Sequence, residues 1–93
     1  MLSKIPISLE KVKDEDLNKE ILRAGIIAEL DAINLYEQMA ATTKDQNIRK
    51  VFLEVAREEK THVGEFQALL LREDEQQKRE LEKGGEEAAE LTQ

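Results

Sequence analysis

Glu59 and His62 stand three positions apart in Glu59-Lys60-Thr61-His62, and His62 is the only histidine among 93 residues. Residues i and i+3 project from one helix face, so this carboxylate and this imidazole can reach one ion together. A further carboxylate, Glu29, lies upstream in a comparable apolar setting. A four-helix di-iron site takes a Glu from each of two helices and a Glu-x-x-His from each of two others. One chain therefore offers half of such a site. Carboxylate oxygens with one imidazole per ion suit iron or manganese, whereas structural zinc sites bring thiolates or more histidines. Cysteine is absent, which removes thiolate ligands, disulfides and Cys nucleophiles together.

The elements that must position these side chains follow from apolar spacing. Leu22, Ile26, Glu29, Ile33, Tyr36 and Ala40 recur at intervals of 4,3,4,3,4, the mark of one buried helical stripe. Ile48, Phe52, Val55, Glu59, His62, Phe66 and Leu69 recur at 4,3,4,3,4,3. Glu29, Glu59 and His62 thus occupy seam positions. The spacing predicts a first helix from Asp14 to about Ala41, with Asp14, Glu15 and Asp16 supplying an N-cap and acids for the positive end of its dipole. Thr42 to Asp45 form a polar break, and Thr43 with Gln46 fits a capping box for the second helix. Each helix is about 27 residues, roughly 40 Å at 1.5 Å per residue. Joined by a tight turn, they make an antiparallel hairpin.

Beyond Arg72 the chain turns polar. Asp74 and Gln77 fit another capping box, opening a shorter helix over residues 75–83; Gly84-Gly85 reads as a break, and Glu86 to Leu91 as a last helical turn or two. Residues 1–13 hold the only proline and no periodicity, so an extended segment is expected there. The plan is all-α: residues 1–13 extended, 14–72 a helical hairpin, 73–93 a C-terminal helical segment.

Length and charge narrow the function. A chain of 93 residues is one small domain, and so small a chain buries only part of its surface alone, which makes oligomerisation expected. With 14 basic against 21 acidic residues and a formal charge of −7, clustered Lys and Arg for phosphate neutralisation are lacking, so no nucleic-acid partner is expected. An acidic chain suits cations. The N-terminal segment is too short and polar for a signal-peptide core or membrane span, so no membrane role and a cytoplasmic location are expected.

Burying an ionised carboxylate costs several kcal/mol even after relaxation, and neither seam carries a Lys or Arg to offset it. A protonated carboxyl is one remedy, since burial raises a Glu pKa. A divalent cation is the better one, because it also employs the imidazole. Two chains supply four carboxylates and two neutral imidazoles, which match the +4 of two ferrous ions. Elsewhere the plainer explanations prevail. Tyr36 fits an interface aromatic with a bonded hydroxyl, placed where it can also touch a metal ligand. Asp31, Glu37, Glu58 and Glu65 fit solvated surface charges, and Glu73-Asp74-Glu75 and Glu86-Glu87 solvated helix ends.

The run Ala24-Gly25-Ile26-Ile27-Ala28-Glu29-Leu30-Asp31-Ala32-Ile33-Asn34-Leu35-Tyr36-Glu37, with Val55-Ala56-Arg57-Glu58-Glu59-Lys60-Thr61-His62, closely resembles the encapsulated ferritin family over roughly residues 14–92. It looks most like the archaeal type, in which the ferritin-like region can be fused in front of a virus-derived encapsulin shell protein. The resemblance implies half a ferritin: a helix pair that dimerises into a ferritin-like four-helix bundle, the homodimers assembling into a ring-shaped decamer. It implies Glu29, Glu59 and His62 as ligands, Tyr36 beside the site, and oxidation of Fe(II) to Fe(III) at two iron ions per dimer interface. It also implies an encapsulin partner, fused or separate, and a place inside an encapsulin nanocompartment where iron is stored. Some relatives carry further glutamates that form a metal-attracting gateway; here those positions are Ala28 and Asp31. No shell-targeting tail is recognisable before Gln93, so a domain parted from a fused shell or a shortened chain is expected.

The expected function is a ferroxidase acting at a di-iron site between two chains. Two rivals stand beside it: a metal-free helical oligomerisation module in which Glu59 and His62 form a buried hydrogen-bonded pair, and a rubrerythrin-like or manganese-dependent peroxidase.

Overall fold

The computed structural model describes Lys4 and residues 8–93. These residues form a single 3-10 turn, Leu9–Lys11, and three α-helices: α1 (Asp14–Thr42), α2 (Gln46–Glu73) and α3 (Glu75–Leu91). The expected extended segment lies partly on residues outside the described ones. Within its described part Leu9–Lys11 departs from it, because Lys11 N–H donates to the Ser8 carbonyl at 3.1 Å and the Ser8 hydroxyl donates to Glu10 at 2.8 Å.

The first helix opens behind Lys13, whose side chain caps nothing, and Asp14, Glu15 and Asp16 all lie in the first turn. Their contribution is to the helix dipole rather than to the cap. At the other end, Arg49 reaches back from α2 and donates to the carbonyls of Ala40 (2.9 Å) and Thr43 (2.6 Å). A guanidinium there satisfies carbonyls that a helix end leaves open.

Asp45, not Thr43, caps α2. Its carboxylate accepts the N–H groups of Asn47 (2.8 Å) and Ile48 (3.1 Å), while the Thr43 hydroxyl accepts the N–H of Asp45 at 3.2 Å. The physical reason is position: Asp45 immediately precedes Gln46, so its oxygen meets the second and third N–H of the helix.

α2 stops where Asp74 becomes extended (φ −136°, ψ 91°). The expected cap at Asp74 forms, its carboxylate accepting Gln77 N–H at 3.0 Å. The same carboxylate receives the Arg23 guanidinium of α1. The expected break at Gly84-Gly85 is absent, because no glycine takes a positive φ and α3 continues to Leu91. Strong helix formers on both sides carry the chain through.

α1 and α2 pack along their length, and the layout spans 47 × 43 × 19 Å because α3 leaves the hairpin as a flat arm. Among the described residues Ile33, Ala40, Ala56 and Leu70 are the buried apolar ones. Ile48 and Leu69, expected in the seam, are exposed. The α2 seam is wider than one partner helix covers: Ala56 and Leu70, displaced by one position from Val55 and Leu69, close onto α1. Ile27, Leu30, Val51 and Leu53 are exposed as well; Val51 continues the stripe of Ile48 and Leu69, so α2 keeps a second apolar face. Among the described residues no helix is long and apolar enough to cross a membrane.

Candidate metal centre

Antiparallel packing brings the middle of α1 to the second half of α2. There Glu29, Glu59 and His62 converge, their donor atoms all within 4.8 Å of one another. His62 Nδ1 lies 3.4 Å from Glu59 Oε2 and 3.5 Å from Glu29 Oε2. The two carboxylate side chains are each 18% exposed, the imidazole 44%. The cluster sits at the edge between the closed and open faces of the hairpin, acids inward and ring outward.

Its hydrogen bonding is incomplete. Glu29 Oε2 is buried and has no hydrogen-bond partner, alone in this among the described residues. A neutral imidazole nitrogen carries at most one proton, so Nδ1 can donate to one carboxylate only. Both separations also exceed the usual 2.7–3.2 Å of an N–H···O bond. Among the described residues no Lys or Arg is ion-paired with either acid; the nearest in sequence, Lys60, pairs across the hairpin with Glu37 at 2.8 Å. Two glutamates and an uncommitted ring nitrogen thus face one point with no cation from the chain.

That donor set fits a divalent metal. Ligand atoms held about 2.1 Å from one ion stand roughly 3 to 4 Å apart, depending on the angle between them. The observed separations of 3.4 and 3.5 Å lie in that range. The chemistry fits too, since hard carboxylate oxygens with one imidazole favour iron or manganese.

Tyr36 is placed two helical turns beyond Glu29 and packs on Phe52, ring centroids 5.9 Å apart and tilted by 51°. Of the acids expected as surface charges, Glu58 and Glu65 are exposed, Asp31 is half-buried, and Glu37 holds the Lys60 pair. The side chains that support the layer were harder to anticipate. A Cβ on Gly25 would stand 3.2 Å from the Phe66 ring, whereas Gly64, Gly84 and Gly85 face open space. The available signal was a glycine inside an otherwise strong helical stripe.

A family profile described as Rubrerythrin matches residues 20–92. The solved structure of the encapsulated ferritin domain from Pyrococcus furiosus superposes with a TM-score of 0.85 at 57% identity, covering 99% of this chain and 96% of that one. The chain belongs to the rubrerythrin family and to the encapsulated ferritins. This ferritin-like domain is also 59% identical over 86 residues to a ferritin-like-encapsulin shell fusion protein of Pyrococcus furiosus. That stretch is 92% of this chain and 25% of the fusion protein, so the domain spans about a quarter of the curated relative it matches.

Proposed function

We propose that this domain is a ferroxidase half-site, with Fe(II) as substrate at Glu29, Glu59 and His62, completed when two chains dimerise. The observation that carries this is the unpartnered, buried Glu29 Oε2 beside Glu59 and His62. A carboxylate pair without a cation is costly inside a protein, and two chains together offer four carboxylates, the charge that two Fe(II) ions balance. A second chain also accounts for the exposed Ile48, Val51 and Leu69, which share the His62 stripe of α2. Covering that face would turn the hairpin pair into a four-helix bundle with both half-sites in its core.

In this mechanism Glu29 and Glu59 would hold the iron through anionic oxygens and His62 through a ring nitrogen. The two Fe(II) ions would each give up one electron and become Fe(III), the pair reducing dioxygen to hydrogen peroxide, or hydrogen peroxide to two waters, with two protons taken from solvent. Partial exposure of His62 leaves a route for iron in and out. Tyr36, held against Phe52, keeps the neighbouring layer of the bundle rigid. The product passes to the interior of an encapsulin compartment, the kind of shell to which the Pyrococcus relative is fused, with the homodimers arranged as a ring-shaped decamer. The metal-free alternative needs a Glu59–His62 hydrogen bond that settles the site. At 3.4 Å that contact is long, and Glu29 Oε2 stays without a partner.

Aerobic Fe(II) oxidation by wild type and by Glu59→Ala tests the proposal, with dioxygen and peroxide as separate oxidants and Mn(II) as a separate substrate. Wild type should outpace buffer and the variant should match buffer. Oxidation no faster than buffer would refute the ferroxidase assignment; turnover of Mn(II) with peroxide alone would shift it to a peroxidase.

A further inference from the structure

We infer that Gly25 and Phe66 are positioning residues for the metal centre, a helix-spacing gauge one turn away from the ligands. The inference rests on the metal-site assignment above. Gly25 precedes Glu29 by four residues on α1, and Phe66 follows His62 by four on α2, so each lies on the same face as its ligand and about 6 Å along the axis. The Phe66 ring fills the space where a side chain at position 25 would stand, two ring carbons lying 3.2 and 3.3 Å from that point. Gly64, Gly84 and Gly85 have nothing within 4 Å of the equivalent point. Only at Gly25 does the lack of a side chain set how closely the two helices approach.

The ligands are divided across that approach, Glu29 on α1 and Glu59 with His62 on α2. Any added separation between the helices at Gly25 is passed to the next layer, where it widens the distance from Glu29 to His62. Helix backbones are stiff over one turn and cores are close-packed, so a shift of a few tenths of an ångström is not absorbed locally. Metal sites tolerate only about 0.2 Å of error in ligand distance. An alanine here therefore disturbs the site before it disturbs the fold. Alanine is also the better helix former, so its effects on helix stability and on metal binding should have opposite signs.

The test uses Co(II) as probe on the 93-residue chain, with affinity and visible absorption measured for wild type, Gly25→Ala, Phe66→Leu and the double variant. Gly25→Ala should bind Co(II) about tenfold more weakly, the loss typical of disturbed ligand support, with an altered absorption band. Its metal-free thermal midpoint should be unchanged or higher. The smaller Leu side chain makes room, so the double variant should recover to within about twofold of wild type, a coupling that neighbouring sites show and independent ones do not. Wild-type affinity in Gly25→Ala, or an equal loss in the double variant, would overturn the inference. A lower midpoint that tracks the affinity loss would overturn it as well. Absence of Co(II) binding by wild type would instead refute the metal-site assignment itself.

Discussion

Two acids withdrawn from solvent, Asp74 and Glu29, differ in what surrounds them. Asp74 is 7% exposed and fully engaged: Gln77 N–H donates to one oxygen and the Arg23 guanidinium to the other. Glu29, whose side chain is 18% exposed, keeps an oxygen with no hydrogen-bond partner, facing another acid and an imidazole. The first carboxylate completes a joint between α1 and α3 within one chain. The second is a demand the chain does not meet. A buried acid that the fold satisfies is structural, and the one that it leaves short is where the proposed metal would bind.

Substitutions at the two acids should therefore have opposite consequences. Glu29→Gln keeps the shape and removes the charge. It should weaken Fe(II) or Co(II) binding by at least about a hundredfold, as befits loss of an anionic ligand, while the metal-free hairpin becomes no less stable. Calorimetric metal titration beside thermal unfolding would show both. Asp74→Asn should leave metal affinity within about twofold but loosen α3, raising amide exchange near Gln77 roughly tenfold through the weakened cap and lost ion pair. A metal-binding loss at Asp74 equal to that at Glu29 would erase the distinction.

Acid sharpens it further. The N–H of Gln77, aided by Lys19 and Arg23, holds the Asp74 carboxyl below its ordinary 3.8 against the opposing effect of burial. A depressed carboxylate contributes stability that is present above its unfolded value and lost as pH falls through the folded one. Protection of α3 should be flat from neutral pH down to about 5 and decline only below about 4, as hydrogen exchange across that range would report.

Smaller effects belong to the frame. Arg49→Ala strips partners from the Ala40 and Thr43 carbonyls and should cost about 1–3 kcal/mol in denaturant unfolding. Lys60→Ala removes an exposed cross-hairpin pair and should cost no more than about 0.5 kcal/mol. If the two were equal, the turn would not be held as described.

What the sequence shows and what it hides follow the same division. The convergence of Glu29, Glu59 and His62 was legible because a charge at a seam position breaks a periodic pattern, and period survives folding. The helices were legible for the same reason. Asp74 was legible as a cap but not as the partner of Arg23, since a contact between residues so far apart in the chain leaves no local trace. Arg49 was invisible as a cap because it serves the preceding helix. Gly84-Gly85 misled because glycine weakens a helix without forbidding it. The exposure of Ile48 and Leu69 was hidden for a different reason: periodicity names an apolar face but not which chain covers it.

The central claim is that the three ligands form half of a site that metal and a second chain complete. Native mass spectrometry of wild type under anaerobic Fe(II) titration tests it most directly. The account predicts species built from pairs of chains, each pair carrying two iron ions, that dissociate when iron is chelated. Chains that bind no iron, or pairs whose mass and abundance ignore it, would contradict the account.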